Sequence, residues 1–218
     1  MTDATNAAPV LNIALPKGRL GDEALAILAA AGFVDEAAGA DDRSLIFQNA
    51  AGDLRFFWAK PSDVAIYVER GAADIGIVGK DCLVEQRPDV YELMDTGLGK
   101  CRMCVAAKAG WADTGRAALR VATKYVNTAR AYYESIGRDI DIIRLSGSIE
   151  IAPVIDLSDV IVDIVQTGRT LADNGLEVVE PIFDISARLI ANKANYLFKQ
   201  DRIADIMAKL DEQLAARP

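Results

Sequence analysis

The chain has 218 residues, 24 Lys+Arg against 32 Asp+Glu, a net charge of −8 and no histidine. That length suits one large domain or two small ones, at about 100–200 residues per domain, and the 51% hydrophobic fraction supplies a buried core. The missing imidazole excludes Ser-His-Asp and Cys-His units, HExxH zinc sites and a histidine general base, and the acidic balance argues against a nucleic-acid surface.

In chain order, short β-like runs alternate with helical segments, the pattern of an α/β fold. Residues 11–15 (LNIAL) read as a buried strand stopped by Pro16. Residues 21–31 carry Ala24, Leu25, Ile27 and Leu28 at helical spacing and end at Gly32. Residues 44–48 and 54–58 read as a hairpin. Ser62 is placed to cap a helix over 63–70, closed by Gly71. Residues 73–78, 101–107, 120–123, 140–145 and 160–165 read as further strands. Asn127 is placed to cap a helix over 128–136, and a short helix is expected over 149–155. An extended run over 176–185 continues through Leu189. The last helix, 194–214, has its apolar stripe at Ile203, Ile206, Met207, Leu210 and Leu214.

Glycines 97 and 99 suggest a hinge, and a second crossing near 179–181 returns the chain to its first lobe. The expected division is 1–97 with 181–218 as one lobe and 98–180 as the other. A two-lobed protein with two crossovers offers a cleft between the lobes as the default ligand site. Cys101 and Cys104 form a C-x-x-C, but on a strand such positions point to opposite faces. With no second pair and no histidine to complete a zinc site, the three cysteines read as reduced core thiols. The first ten residues, MTDATNAAPV, carry no secretory signal pattern, and no run of about 18 apolar residues suggests a membrane span. A cytoplasmic protein is the expectation.

Five strand-end loops carry the candidate chemistry. In residues 160–176 (VIVDIVQTGRTLADNGL) a strand ends in a loop where Gly168 lets the backbone approach an anion. Loop N–H groups and the hydroxyls of Thr167 and Thr170 can then donate to a phosphate. Asp163, on the strand before it, is placed to accept from sugar hydroxyls; the plainer reading is a βα turn capped by Thr170. Lys17, Gly18 and Arg19 place two cations at a helix entrance, where the helix dipole disfavours them unless an anion is bound. Residues 73–81 (ADIGIVGKD) lack the full Walker A pattern, which rejects a P-loop. They still bring Lys80 and Asp81 to a strand end. ATKY offers the Lys124 charge and the Tyr125 ring, and Ser146–Glu150 (SGSIE) is a small-residue turn.

Taken together, PKGRL, ADIGIVGKD, ATKY, GSIEIAP, VDIVQTGRTLADNGL and SARLIAN occur in the order that resembles the ATP phosphoribosyltransferase family. The resemblance spans about residues 11–192. It implies an α/β, two-lobed periplasmic-binding-protein-like fold with the active site in the inter-lobe cleft. The implied reaction transfers the phosphoribosyl group of phosphoribosyl pyrophosphate to N1 of the adenine of ATP, releasing pyrophosphate, with Mg²⁺, as the first step of histidine biosynthesis. Carried over by motif, Asp163, Thr167, Gly168, Arg169, Thr170 and Leu171 would hold phosphoribosyl pyrophosphate. Lys17, Gly18, Arg19, Lys60, Lys80, Asp81 and Tyr125 would meet ATP or pyrophosphate, with Lys17, Arg19 and Asp163 the catalytic set.

The chain resembles the short form of the family, which implies a homodimer within a hetero-oligomer and a separate regulatory subunit resembling histidyl-tRNA synthetase. The sequence departs from the family pattern at Lys60, where arginine is usual, at Ala65 and Val126, where proline is common, and at Asp156, where glycine is usual. A small-molecule binding or sensing module of the same architecture is the alternative. The more common phosphoribosyltransferase class carries paired acidic residues before its phosphate loop. Here Asp163 stands alone.

Overall fold

The computed structural model describes residues 10–35, 44–115 and 118–216. Nearly all of the opening MTDATNAAPV lies outside them. The described chain forms two compact units, residues 10–83, 87–99 and 186–216 in the first, 84–86 and 100–185 in the second.

The first unit contains β1 (Leu11–Pro16), α1 (Arg19–Ala30), β2 (Ile46–Gln48), β3 (Leu54–Ala59), α2 (Val64–Glu69) and β4 (Ile75–Gly79). The start of α3 (Lys80–Gln86), β5 (Val90–Asp95), β11 (Ala187–Asn192) and α7 (Lys193–Ala215) complete it. Its six strands run in the order β2-β3-β1-β4-β11-β5. β1 is parallel to β3 and β4, with Pro16 opposite Ala59 and Ala14 opposite Gly76. β11 is antiparallel to both β4 and β5.

Strand alternation sends Leu11, Ile13 and Leu15 to one face, where they meet Ala24, Ile27 and Leu28 of α1 and Ile203, Ile206 and Leu210 of α7. Ala14 faces the other way, toward Val64, Ala65 and Val68 of α2 and Leu83 of α3. The predicted stripe of α7 is its packing face, with Met207 and Leu214 at the margin.

The second unit holds β6 (Cys101–Lys108), β7 (Leu119–Thr123), α4 (Val126–Ser135), β8 (Ile140–Arg144), α5 (Ile151–Val154), β9 (Val160–Val165), α6 (Arg169–Asp173) and β10 (Leu176–Ile185). The strand order is β10-β6-β9-β7-β8, with β7 parallel to β8 and β9. Cys101 packs with the α4-side cluster and Cys104 with the α5/α6-side cluster, so the two thiols lie on opposite faces, and no disulfide joins the three cysteines. No described helix is long and apolar enough to cross a membrane.

Several expectations shift. β10 stays paired with β6 as far as Ile185, which meets Cys101. The extended run expected through Leu189 breaks at Ser186, because β11 belongs to the other sheet. The units therefore divide at 99/100 and 185/186, a few residues later than expected. β5 and α3 were not anticipated; both are short, and neither carries a clear apolar period.

Neither predicted side-chain cap forms. Ser62 Oγ donates to Asp63 Oδ1 at 2.9 Å, and the α2 N-cap is Asp63, with no side-chain capping bond. At α4, Glu85 does the capping: it accepts from the N–H groups of Asn127 and Thr128 at 3.0 and 2.9 Å, while Asn127 Nδ2 donates to the Glu85 carbonyl at 2.9 Å. A carboxylate arriving from a distant segment supplies charge that the local asparagine lacks. Asp156, where glycine is usual, has φ 58°, the left-handed conformation that favours glycine. Its side chain pairs with Lys108 at 2.7 Å, which holds the carboxyl below the usual aspartate range.

A buried polar knot at the amino ends of β1 and β4 docks α7. Asp74, 1% exposed, accepts from the Asn12 N–H at 2.7 Å, from Asn195 Nδ2 at 2.8 Å and from Lys199 Nζ at 2.7 Å. Lys199 Nζ also donates to the Val10 carbonyl at 2.9 Å, and at this residue the helix leaves helical geometry. Asn192 caps α7 by accepting from the Asn195 N–H at 2.9 Å. Replacing Asp74 by Ala leaves the Lys199 ammonium buried without its counter-charge. The expected loss is about 3 kcal/mol in denaturant unfolding followed by circular dichroism, against less than about 1 kcal/mol for Lys209→Ala on the exposed side of the same helix.

Candidate functional site

In the second unit, β9 ends at Val165 and the loop 166–168 turns into α6. Gly168 adopts φ 76°, the left-handed conformation, and forms the N-cap of α6 without a side-chain bond. Thr170 therefore does not cap the helix. A Cβ at position 168 would come no closer than 3.8 Å to Val165, so backbone conformation, not crowding, asks for glycine there. Thr167 Oγ1 accepts from the Arg169 N–H at 3.4 Å, and Asn174 Nδ2 donates to the Thr170 carbonyl at 2.8 Å. Thr167, Arg169 and Thr170 are exposed.

Residues 163–171 line one concavity of about 220 Å³, with Glu150 and Ile161. Leu171 is the exception in kind: its side chain is buried in the core, which leaves only its backbone to meet a ligand.

Asp163 stands at the wall of this concavity. It accepts from the Ile164 N–H at 2.8 Å, and Lys124 Nζ lies 3.7 Å away. Burial pushes its carboxyl above the ordinary aspartate value, opposed by Lys124 and the backbone N–H and reinforced by the Glu150 charge. Glu150 escaped the sequence reading as a site residue. Its signal was the SGSIE turn after a strand, and Ser148 in that turn has φ 48°, an uncommon conformation for serine.

The Tyr125 expectation is corrected. Its ring is 6% exposed and packs with Val121, Ala129 and Val162, so it offers no platform for a base. It instead carries Lys124 Nζ 4.9 Å from its ring centre. Thr123 Oγ1 donates to the Val162 carbonyl at 2.6 Å and accepts from the Tyr125 N–H at 2.8 Å, which shapes this turn.

In the first unit the cations gather at one sheet edge. Three adjacent parallel strands, β3, β1 and β4, end together at Ala59, Pro16 and Gly79. The Lys17 N–H donates to the Ala59 carbonyl at 2.7 Å, so Lys17 and Lys60 leave the sheet side by side. Given Ala14 opposite Gly76, Lys80 emerges at the same level. Gly18 has φ 89° at the start of α1. Gly21 admits no side chain, since a Cβ would stand 1.7 Å from the Pro16 carbonyl oxygen and 2.7 Å from the Trp58 ring. Arg19 is exposed and lies 3.6 Å from Glu23.

Lys80 and Asp81 differ from expectation. Asp81 is buried, and its carboxylate folds back so closely that a Cβ on Gly79 would meet Oδ1 at 2.2 Å. Its role is inward, at the start of α3. Lys80 Nζ donates to Glu92 Oε2 at 2.6 Å. Among the described residues no group of three or more acidic or cysteine side chains could by itself hold a metal ion.

The ATP phosphoribosyltransferase family model matches residues 60–212. An ATP phosphoribosyltransferase of Brachyspira hyodysenteriae is 52% identical over 206 residues, 94% of this chain and 100% of the relative. A solved chain from the ATP phosphoribosyl transferase (HisG:HisZ) complex of Thermotoga maritima superposes with a TM-score of 0.83 at 34% identity, over 95% of this chain and 100% of that one. The periplasmic aliphatic sulphonate binding protein of Escherichia coli shares the two-lobed fold alone, with a TM-score of 0.61 at 12% identity over 94% of this chain and 68% of its own. The family model, the Brachyspira relative and the Thermotoga chain agree, and by them the chain belongs to the ATP phosphoribosyltransferase family.

Proposed function

We propose that this chain performs its family's reaction, transfer of the phosphoribosyl group from phosphoribosyl pyrophosphate to N1 of ATP, with the Asp163–Leu171 loop as the phosphoribosyl pyrophosphate holder. The observation that carries this assignment is the concavity after β9, where exposed hydroxyls and loop N–H groups stand beside a half-buried carboxylate. Thr167, Gly168, Arg169, Thr170 and the Leu171 backbone grip the 5-phosphate. Asp163 accepts from the ribose hydroxyls, with Glu150 beside it. Lys17, Gly18, Arg19 and Lys60 meet the polyphosphate charge of ATP or of the departing pyrophosphate, and Lys80 joins them. A binding or sensing module is not favoured, since the likeness to a solute-binding protein stops at the fold.

The absence of histidine suits this chemistry. The N1 lone pair of adenine is available at neutral pH, and the leaving pyrophosphate needs charge neutralisation rather than a proton. The transition state gathers positive charge on the ribose, where a carboxylate helps. Positioning and electrostatics therefore do the catalytic work. Asp163 and Glu150 fit a Mg²⁺ that is carried mainly by substrate phosphate oxygens, as this ion is usually held by one or two carboxylates. When bound, it neutralises the leaving group.

The Thermotoga neighbour comes from a HisG:HisZ complex, which supports a hetero-oligomer here. We take this chain to form a homodimer within it, controlled by a regulatory subunit that resembles histidyl-tRNA synthetase. Its substrates are metabolites of the cytoplasm, and the protein is assigned there.

Purified chain mixed with ATP, phosphoribosyl pyrophosphate and Mg²⁺, with and without a regulatory subunit, is expected to form phosphoribosyl-ATP, read by absorbance. No product under either condition would sink the assignment. Thr170→Ala is expected to raise the KM for phosphoribosyl pyrophosphate by about tenfold, the loss of one hydrogen bond to a charged group, with little change for ATP. An equal effect on both contradicts the loop's role. The carboxylate form of Asp163 is the working form and its carboxyl is raised, so acid removes activity sooner than an ordinary aspartate value of 3.8 implies. The acid limb of kcat/KM for phosphoribosyl pyrophosphate is expected above that value and to vanish in Asp163→Asn. No group titrating near 7 limits the rate.

A further inference from the structure

Lys80 is held at the carboxyl edge of the first sheet by residues to which the sequence analysis gave no role. Its Nζ donates to Glu92 Oε2 at 2.6 Å. The other oxygen of the same carboxylate, Oε1, accepts from Arg188 Nε at 2.8 Å. Arg188 also pairs with Asp95 and donates to Ser186 Oγ, while Ser186 Oγ donates to Asp95 Oδ1 at 2.8 Å. The chain of contacts thus runs Lys80, Glu92, Arg188, Asp95, Ser186, from the start of α3, just past β4, to the neighbouring strands β11 and β5.

Arg188 is the most buried of the network's four charged side chains, while Glu92 and Asp95 are 37% and 54% exposed. The Arg188 side chain is 15% exposed and fixed by two carboxylates, whereas Lys80 is 31% exposed at the rim. A rigid, planar guanidinium is suited to anchoring a carboxylate, and that carboxylate in turn restrains a flexible lysine stem. Two cations and two carboxylates leave the network neutral, so Glu92 does not add net negative charge to an edge that must receive a polyphosphate. Lys80 has three donor hydrogens, and Glu92 occupies one. Among the described residues Lys17 and Lys60, at the same level of the same edge, make no ion pair. Lys80 alone of the three is pre-aimed.

We propose that Glu92, anchored by Arg188, is a positioning residue that holds the Lys80 ammonium in place for the phosphates of ATP or pyrophosphate. The role rests on the reading of Lys80 given above. Ordering a lysine stem before the ligand arrives spares part of its rotamer entropy at binding.

The test is a double-mutant cycle on the full chain, assayed with ATP, phosphoribosyl pyrophosphate and Mg²⁺. Glu92→Ala is expected to raise the KM for ATP about fivefold, the scale of a partly exposed charge pair, with the KM for phosphoribosyl pyrophosphate changed less than about twofold. In a Lys80→Met background the same change is expected to add nothing further. Glu92→Gln, which keeps the shape and one acceptor, is expected to show the same split at smaller size and covers the case in which Glu92→Ala does not fold. Calorimetric titration of pyrophosphate gives a readout independent of turnover and is expected to weaken in the same order. A Glu92 effect that persists in the Lys80→Met background, falls equally on both substrates, or tightens pyrophosphate binding overturns the positioning role while leaving Lys80 assigned. An unchanged KM for ATP in Lys80→Met alone overturns the reading of Lys80 and the positioning role together, and leaves the Thr170 result to judge the rest of the site.

Discussion

The first unit depends on one buried carboxylate. Asp74 sits at the amino edge of the sheet, just before β4, and receives a backbone N–H from β1, an amide from Asn195 and the Lys199 ammonium. A buried charge is costly unless it is paired and hydrogen-bonded, and here the donors come from β1 and from α7, far apart in the chain. The chain leaves this unit at Gly99 and re-enters it at Ser186. The returning segment must add a strand and a long helix to a sheet already built. Asp74 makes the correct docking of α7 the arrangement in which its charge is satisfied. The apolar stripe of that helix then covers Leu11, Ile13 and Leu15.

Because that anchoring lies at the amino edge, the opposite edge is left for chemistry. Parallel strands deliver their following loops to one side of a sheet, and ligand-bearing residues collect there in open α/β folds. Both units follow this rule with different chemistry. The first presents Lys17, Lys60 and Lys80 at one level. The second presents hydroxyls, loop N–H groups and a carboxylate raised by burial. A displacement whose nucleophile arrives on the substrate needs charge placed well, and the chain has no imidazole to do otherwise.

Legibility in the sequence tracked locality. The strand 160–165, the TGRT loop, the α7 stripe and the glycines at 32, 71 and 168 were all readable, since each expresses a local period or a backbone conformation. What could not be read was pairing between distant residues. Glu85 caps α4 from 42 residues away, and Glu92 meets Lys80 only because β11 inserts between β4 and β5. Tyr125 and Leu171 show the converse. Their motifs marked them as candidate site residues, but their side chains turn into the core, which only the strand faces decide.

The sequence by itself determined the α/β pattern, the exclusion of histidine chemistry, the glycine-containing loop after β9 and the family. These follow from composition, periodicity and motif, which need no knowledge of neighbours. The tertiary structure alone decided which charges work outward and which inward. Lys80 is aimed by Glu92 and Arg188, Asp81 is folded onto Gly79, Asp163 is raised by burial, and Lys199 is spent on Asp74. The physical reason is that a charge's role depends on its desolvation and its nearest counter-charge, and both are set by residues far away in the chain.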